Sequence, residues 1–161
     1  MMSRLDVCLD WIFRAEGGLS YDPFDPGGLT RYGISQRAYP NLDIQNLTKA
    51  EARAIYERDY WQPCHCEALP EPLDQVMLDC AVLMGRHAAT ELLQRSLKVK
   101  VDGIIGVKTL AAATDHGVNA LTVMFTERMI YLSNAQTWQQ HRRGWTLRTF
   151  ELAREVFSGH L

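Results

Sequence analysis

The sequence predicts a mainly α, α+β domain of about seven or eight helices with one small β-hairpin element. Three observations predict it. Apolar residues recur at helical spacing through most of the chain. Helix starts and stops are written into it: Ser3 with Asp6 and Thr48 with Glu51 form capping-box patterns, and Gly17-Gly18 and Gly85 stand where left-handed caps belong. One stretch, residues 16–35, breaks the pattern, with three acidic residues, five glycines and two prolines in twenty positions. With 161 residues, 47% of them hydrophobic and 22% charged, the chain is long and apolar enough for one compact domain over 1–161.

In order, Leu5, Cys8, Leu9, Ile12 and Phe13 give the first helix its apolar face, and Gly17-Gly18 ends it. Glu16 continues that stripe in the last turn. Burial and the negative helix end both favour a neutral carboxyl group, which makes Glu16 a candidate general acid. On these sixteen residues alone, a solvated glutamate fraying at a helix end is the favoured reading. Residues 19–35 alternate short extended pieces with Asp-Pro and Pro-Gly-Gly turns, predicting a hairpin. Asp22 and Asp25 each precede a proline, and an Asp-Pro pair is also a plain turn former. Ser35 is placed to cap a short helix ending before Pro40, and residues 40–47 form a loop.

The next helix, with Ala52, Ile55 and Tyr56 inward, ends at Trp61-Gln-Pro63. Residues 62–72 hold three prolines and Cys64-His65-Cys66 and read as a loop. Leu73, Val76, Met77, Cys80, Leu83 and Met84 predict a largely buried helix. Asp79 within it reads as a satisfied partner rather than a catalyst, with Arg128 and Arg148 available to pair with a buried carboxylate. Leu92, Leu93 and Leu97 mark another helix. Asp102-Gly-Ile-Ile-Gly106 is a tight turn into a helix that Gly117 is expected to separate from the following one. A last helix is expected from about Gly144 to Phe157.

Composition excludes several function classes. The net charge is −2 and no basic run exceeds Arg142-Arg143, which argues against a nucleic-acid or anionic-membrane partner. No apolar run approaches a membrane span, so no membrane insertion is expected. Met1–Phe13 is interrupted by Arg4, Asp6 and Asp10 and is no signal peptide, so cytoplasmic synthesis is expected. The four cysteines include one close pair around His65, but a zinc site needs wider spacing and a second pair, and Cys8 and Cys80 sit in apolar helical patterns. Reduced thiols and no metal are expected.

Two carboxyl groups in unlike environments suffice for glycosidic hydrolysis. Glu16 at an apolar helix end and Asp25 in a polar turn offer that contrast, with Thr30 available to hold a water. The run Glu16-Gly-Gly, Asp22-Pro-Phe-Asp25-Pro-Gly-Gly28-Leu-Thr30-Arg-Tyr32-Gly33-Ile34-Ser35 resembles the signature of the glycoside hydrolase 108 family, phage endolysins and related bacterial muramidases that cleave peptidoglycan. The resemblance continues through Ala52, Tyr56, Tyr60-Trp61, Leu93-Gln94, Asp102-Gly103, Gly106, Thr109-Leu110 and Gly144-Trp145 to Arg148. It implies a lysozyme-like fold in which Glu16 is the catalytic acid and Asp25 and Thr30 complete a Glu-Asp-Thr set. Asp22 remains the alternative second carboxylate. Tyr32 and Gly33, with Asp22, are expected to line the substrate cleft. Residues 1–86 are expected to form the catalytic portion and 87–161 a helical peptidoglycan-binding-like portion. Leu83 departs from the family, which more often has asparagine there; leucine cannot hydrogen-bond a sugar. The implied activity needs no cofactor, acts as a monomer on peptidoglycan, and suits an enzyme held in the host cytoplasm until it reaches the periplasmic wall.

Overall fold

The computed structural model describes residues 1–21 and 28–158. Asp22 and Asp25 lie outside them. The elements are α1 (Arg4–Glu16), β1 (Ser20–Tyr21), β2 (Leu29–Arg31), β3 (Ile34–Ser35), α2 (Lys49–Tyr56), α3 (Leu73–Met84), α4 (Arg86–Ser96), α5 (Val107–Ser133) and α6 (Trp138–Ser158). A π-helical turn, Glu57–Trp61, extends α2, and a single 3-10 turn spans Cys66–Ala68. The architecture is the mainly helical α+β one expected, with one small antiparallel sheet. The chain parts into two compact units, Met1–Gln62 and Pro63–Leu161.

In the first unit both predicted capping boxes form: Ser3 and Thr48 accept from the amides of Asp6 and Glu51, whose carboxylates reach back to the cap amides. Leu5, Cys8, Leu9, Trp11 and Ile12 bury one face of α1. Arg53 ties α2 to α1, its Nε 2.6 Å from Asp6 and its Nη1 2.7 Å from Glu57. The arginine's hydrogen bond holds the Asp6 carboxyl down to about 2. The sheet is antiparallel in the order β1-β2-β3.

The expected short helix after Ser35 does not form. Ser35 Oγ accepts from the Ala38 amide, but the segment stays a series of turns. The Gln36 amide donates to the carbonyls of Tyr39, Pro40 and Leu42, a side-chain clamp that holds the chain in turns.

In the second unit α5 runs unbroken through Gly117, against the expected break. A Cβ there would lie 3.1 Å from Pro70 and 3.4 Å from Leu73, so this glycine serves close approach rather than termination. α6 likewise begins at Trp138, six residues before the expected start, and carries Gly144 in its interior. The merged α5 and the missing helix after Ser35 bring the count to six α-helices among the described residues. Asp79 is fully buried and joins three helices: Arg128 of α5 lies 2.5 Å from one oxygen, and Arg148 of α6 lies 2.8 Å from the other. Both arginines thus share the carboxylate that the sequence marked as a structural partner. Gln94, 1% exposed, accepts from the amides of Asp102 and Gly103 and donates to Asp102, Ile104 and Thr109, which holds the tight turn.

Candidate active site

The first unit assembles the candidate site from the end of α1, the β2–β3 hairpin and the end of α2. Glu16 is the last residue of α1, and Gly17 follows at φ 76°, its amide bonded to the Phe13 carbonyl. An L-residue takes that φ poorly, so Gly17 is what lets the helix stop there. Glu16 is half-buried.

The sheet register decides what faces what. Arg31 pairs with Ile34, leaving Tyr32-Gly33 as a two-residue turn. Both have positive φ, 52° and 77°, as a type I′ hairpin requires. Gly33 suits that role. Tyr32 does not, and its ring and carbonyl are both held. Its ring meets Phe13 edge-on at 5.3 Å, with the Arg31 guanidinium 5.5 Å above it, and its carbonyl accepts from the Tyr56 hydroxyl at 2.7 Å.

Thr30 stands opposite Ser20 on one side and Ser35 on the other. Directly opposed residues share a face, so three hydroxyl residues form a row across the sheet. Ile34, one position along, is buried on the other face. Thr30 therefore sits on the polar, half-buried side of the hairpin.

The turn abuts Glu16. A Cβ placed on Gly33 would lie 2.7 Å from Glu16 Cγ, 3.0 Å from its Cβ and 2.6 Å from Tyr56 Oη. The structure thus brings together Glu16, Gly33 and, through the turn, Tyr32, and places Thr30 on the strand that leads into it. Asp22 and Asp25 fall in the connection between β1 and β2, outside the described residues.

The sequence places Tyr56 on the inner face of its helix and within the family resemblance, and gives it no role. Its ring is buried between Phe13 (6.0 Å) and Tyr60 (5.6 Å), and its hydroxyl reaches the hairpin turn. No pattern in the chain announces this, because the partner is a backbone carbonyl 24 residues away.

The Cys64-His65-Cys66 stretch lies in the second unit. Both thiols are buried and His65 takes a left-handed backbone, φ 51°. A hydrogen bond from Cys66 lowers the Cys64 thiol's pKa. Among the described residues, no three His, Cys, Asp or Glu side chains cluster as a metal site. No helix among them is long and apolar enough to cross a membrane.

Residues 9–85 match the family model of Glycosyl hydrolase 108. The matched segment contains Glu16, Thr30, Tyr32, Gly33 and Tyr56. None of the curated proteins matches the chain. Among solved structures, that of Brucella abortus SagA is similar at 29% identity, covering 96% of this chain and 94% of that one with a TM-score of 0.86. The likeness extends over nearly the whole length of both chains, and with the helices and small sheet it places this chain in the lysozyme-like α+β class. Over residues 9–85, which carry the assembled site, the chain is similar to a family of glycosyl hydrolases.

Proposed function

We propose that this protein is an N-acetylmuramidase of the endolysin type, hydrolysing the β-1,4 bond between N-acetylmuramic acid and N-acetylglucosamine in bacterial peptidoglycan. The observation that carries the reading is Glu16 at the end of α1, walled by the Gly33 turn, within the segment similar to Glycosyl hydrolase 108. Glu16 donates its proton to the glycosidic oxygen as the bond to the anomeric carbon breaks. Asp25, in the β1–β2 connection, supports the positive charge or activates the incoming water, and Thr30 holds that water by its hydroxyl. Water supplies the hydroxyl at the anomeric carbon, and its remaining proton restores the acid. Tyr32, Gly33 and Asp22 border the sugar.

In this reading residues 1–86 carry the chemistry and 87–161 hold the wall. This activity suits a phage product held in the host cytoplasm until the membrane opens, and equally a secretion-associated bacterial muramidase; either acts on the periplasmic wall as a monomer without a cofactor.

The test is Glu16→Gln assayed on purified sacculi. General acid–base help is worth roughly 10²–10⁴-fold, so turbidity loss should slow by that factor while the fold is retained. Mass spectrometry of wild-type products should show reducing muramic ends. Anhydro-muramic ends would make the enzyme a lytic transglycosylase, and sedimentation with walls without turbidity loss would make it a binding protein. Asp25→Asn and Asp22→Asn measured side by side assign the second carboxylate; a larger loss at Asp22 reverses the assignment.

A further inference from the structure

We propose that Tyr56 is a positioning residue for Glu16, acting through the Tyr32-Gly33 turn; the inference rests on the hydrolase reading and extends it.

Tyr32 holds φ at 52°, where an L-residue's Cβ crowds its own backbone. Such a conformation persists only where surrounding contacts over-determine it. Two of those contacts fix the ring, Phe13 at its edge and Arg31 over its face. The ring contacts do not fix the peptide plane between Tyr32 and Gly33. The 2.7 Å hydrogen bond from Tyr56 Oη to the Tyr32 carbonyl does.

That peptide plane is what Glu16 leans on. The site of the missing Gly33 Cβ is 2.7 Å from Glu16 Cγ and 2.6 Å from the same Tyr56 hydroxyl. Gly33 is thus wedged between the acid's methylenes and the tyrosine. A shift of the turn toward Glu16 meets Cβ and Cγ, and a shift away opens the wall that limits their rotamers. The direction of the Glu16 carboxyl is set by where the turn sits, and the turn is set by the Tyr56 hydroxyl.

Tyr56 is well placed to serve as a fixed reference. It is 2% exposed, its ring is held by Phe13 and Tyr60, and it closes α2 where the backbone passes into the π-helical turn Glu57–Trp61. Irregular turns of that kind frequently mark functional sites. Phe13 touches both Tyr32 and Tyr56 and lies one helical turn before Glu16, so the acid, the turn and the tyrosine share one aromatic support.

The experiment compares wild type, Tyr56→Phe, Glu16→Gln and the double variant on soluble glycan strands released from sacculi by amidase, reading kcat and KM separately, with thermal melts of all four. Tyr56→Phe keeps the ring and removes only the donor. A misplacement near 1 Å costs about 10²-fold, so kcat should fall roughly 10- to 100-fold with KM within about twofold. In the Glu16→Gln background the same substitution should cost little further rate, since the group it positions no longer transfers a proton, while the drop in melting temperature should match that seen in the wild-type background. Wild-type kcat in Tyr56→Phe, or an undiminished second loss in the double variant, overturns the proposal. A wild-type protein that releases no reducing ends overturns the hydrolase reading, and this inference with it.

Discussion

Gly33→Ala puts the site's geometry at most risk, because the substitution adds one carbon where Glu16 and Tyr56 already close on the turn. Two costs follow from the structure. At φ 77° an alanine enters the left-handed region, which costs about 1–2 kcal/mol. Its Cβ would also meet Tyr56 Oη at 2.6 Å and Glu16 Cγ at 2.7 Å. Carbon contacts are optimal near 3.5–4.0 Å, so roughly an ångström must be found between a helix end and a buried ring. Overpacking of that order costs about 1–3 kcal/mol. Together the loss is about 2–5 kcal/mol, against a total stability of roughly 5–15 kcal/mol. The variant should fold, with its melting temperature lowered by roughly 5–20 °C for a chain of this size. The control is Gly28→Ala. Gly28 has φ 66° but no atom of the described residues within 4 Å of the added carbon, so it serves to isolate the backbone cost. Differential scanning calorimetry of both, with sacculus clearing measured well below either transition, separates collision from conformation. Gly33→Ala should lose at least tenfold in clearing rate and Gly28→Ala far less. Equal melting temperatures for the two variants would refute the packing of the turn on Glu16.

Three further outcomes are expected. Asp79→Asn leaves Arg128, fully buried, and the largely buried Arg148 without their shared anion, and Arg128 Nη2 already has no partner among the described residues. Breaking such a pair costs about 3–5 kcal/mol, which should lower the urea midpoint with the m-value unchanged. The Asp6–Arg53 link depresses the Asp6 carboxyl from 3.8 to about 2. A depressed carboxyl contributes stability above its unfolded value and loses it as pH falls through the folded one. The difference in urea midpoint between wild type and Arg53→Met should therefore be nearly complete above about pH 4, shrink as pH falls through about 2 and be gone below it. Finally, all four cysteines are buried thiols outside any disulfide, and burial pushes the Cys80 thiol up, so a thiol reagent should titrate none quickly in the native protein and four in denaturant.

Much of the fold was legible because its causes are local. Helix faces, capping boxes and the glycine after Glu16 depend on side chains within four residues of each other, and the sequence displays those spacings directly. The placement of Glu16 at the end of the first apolar stripe and of Thr30 on the following hairpin was legible for the same reason. Where local signals competed with packing, the reading failed. Gly117 looks like a break but lies inside α5, where Pro70 and Leu73 pack so close that an added Cβ would be tight. Ser35 looks like a helix cap, yet only one turn follows it, and the Gln36 side chain holds the carbonyls of Tyr39, Pro40 and Leu42 in an irregular path.

The sequence alone therefore determined the class of the fold, the capped starts of α1 and α2, the stop after Glu16 and the type of group at residue 16. Tertiary structure alone decided that Tyr32 is forced into a left-handed turn, that Tyr56 holds the turn's carbonyl, and that Gly33 touches the acid's own methylenes. The division has a physical basis. Propensity and capping act along the chain over a turn or two, whereas the contact that orients Glu16 joins segments tens of residues apart through a backbone carbonyl and an absent side chain, neither of which has a letter in the sequence.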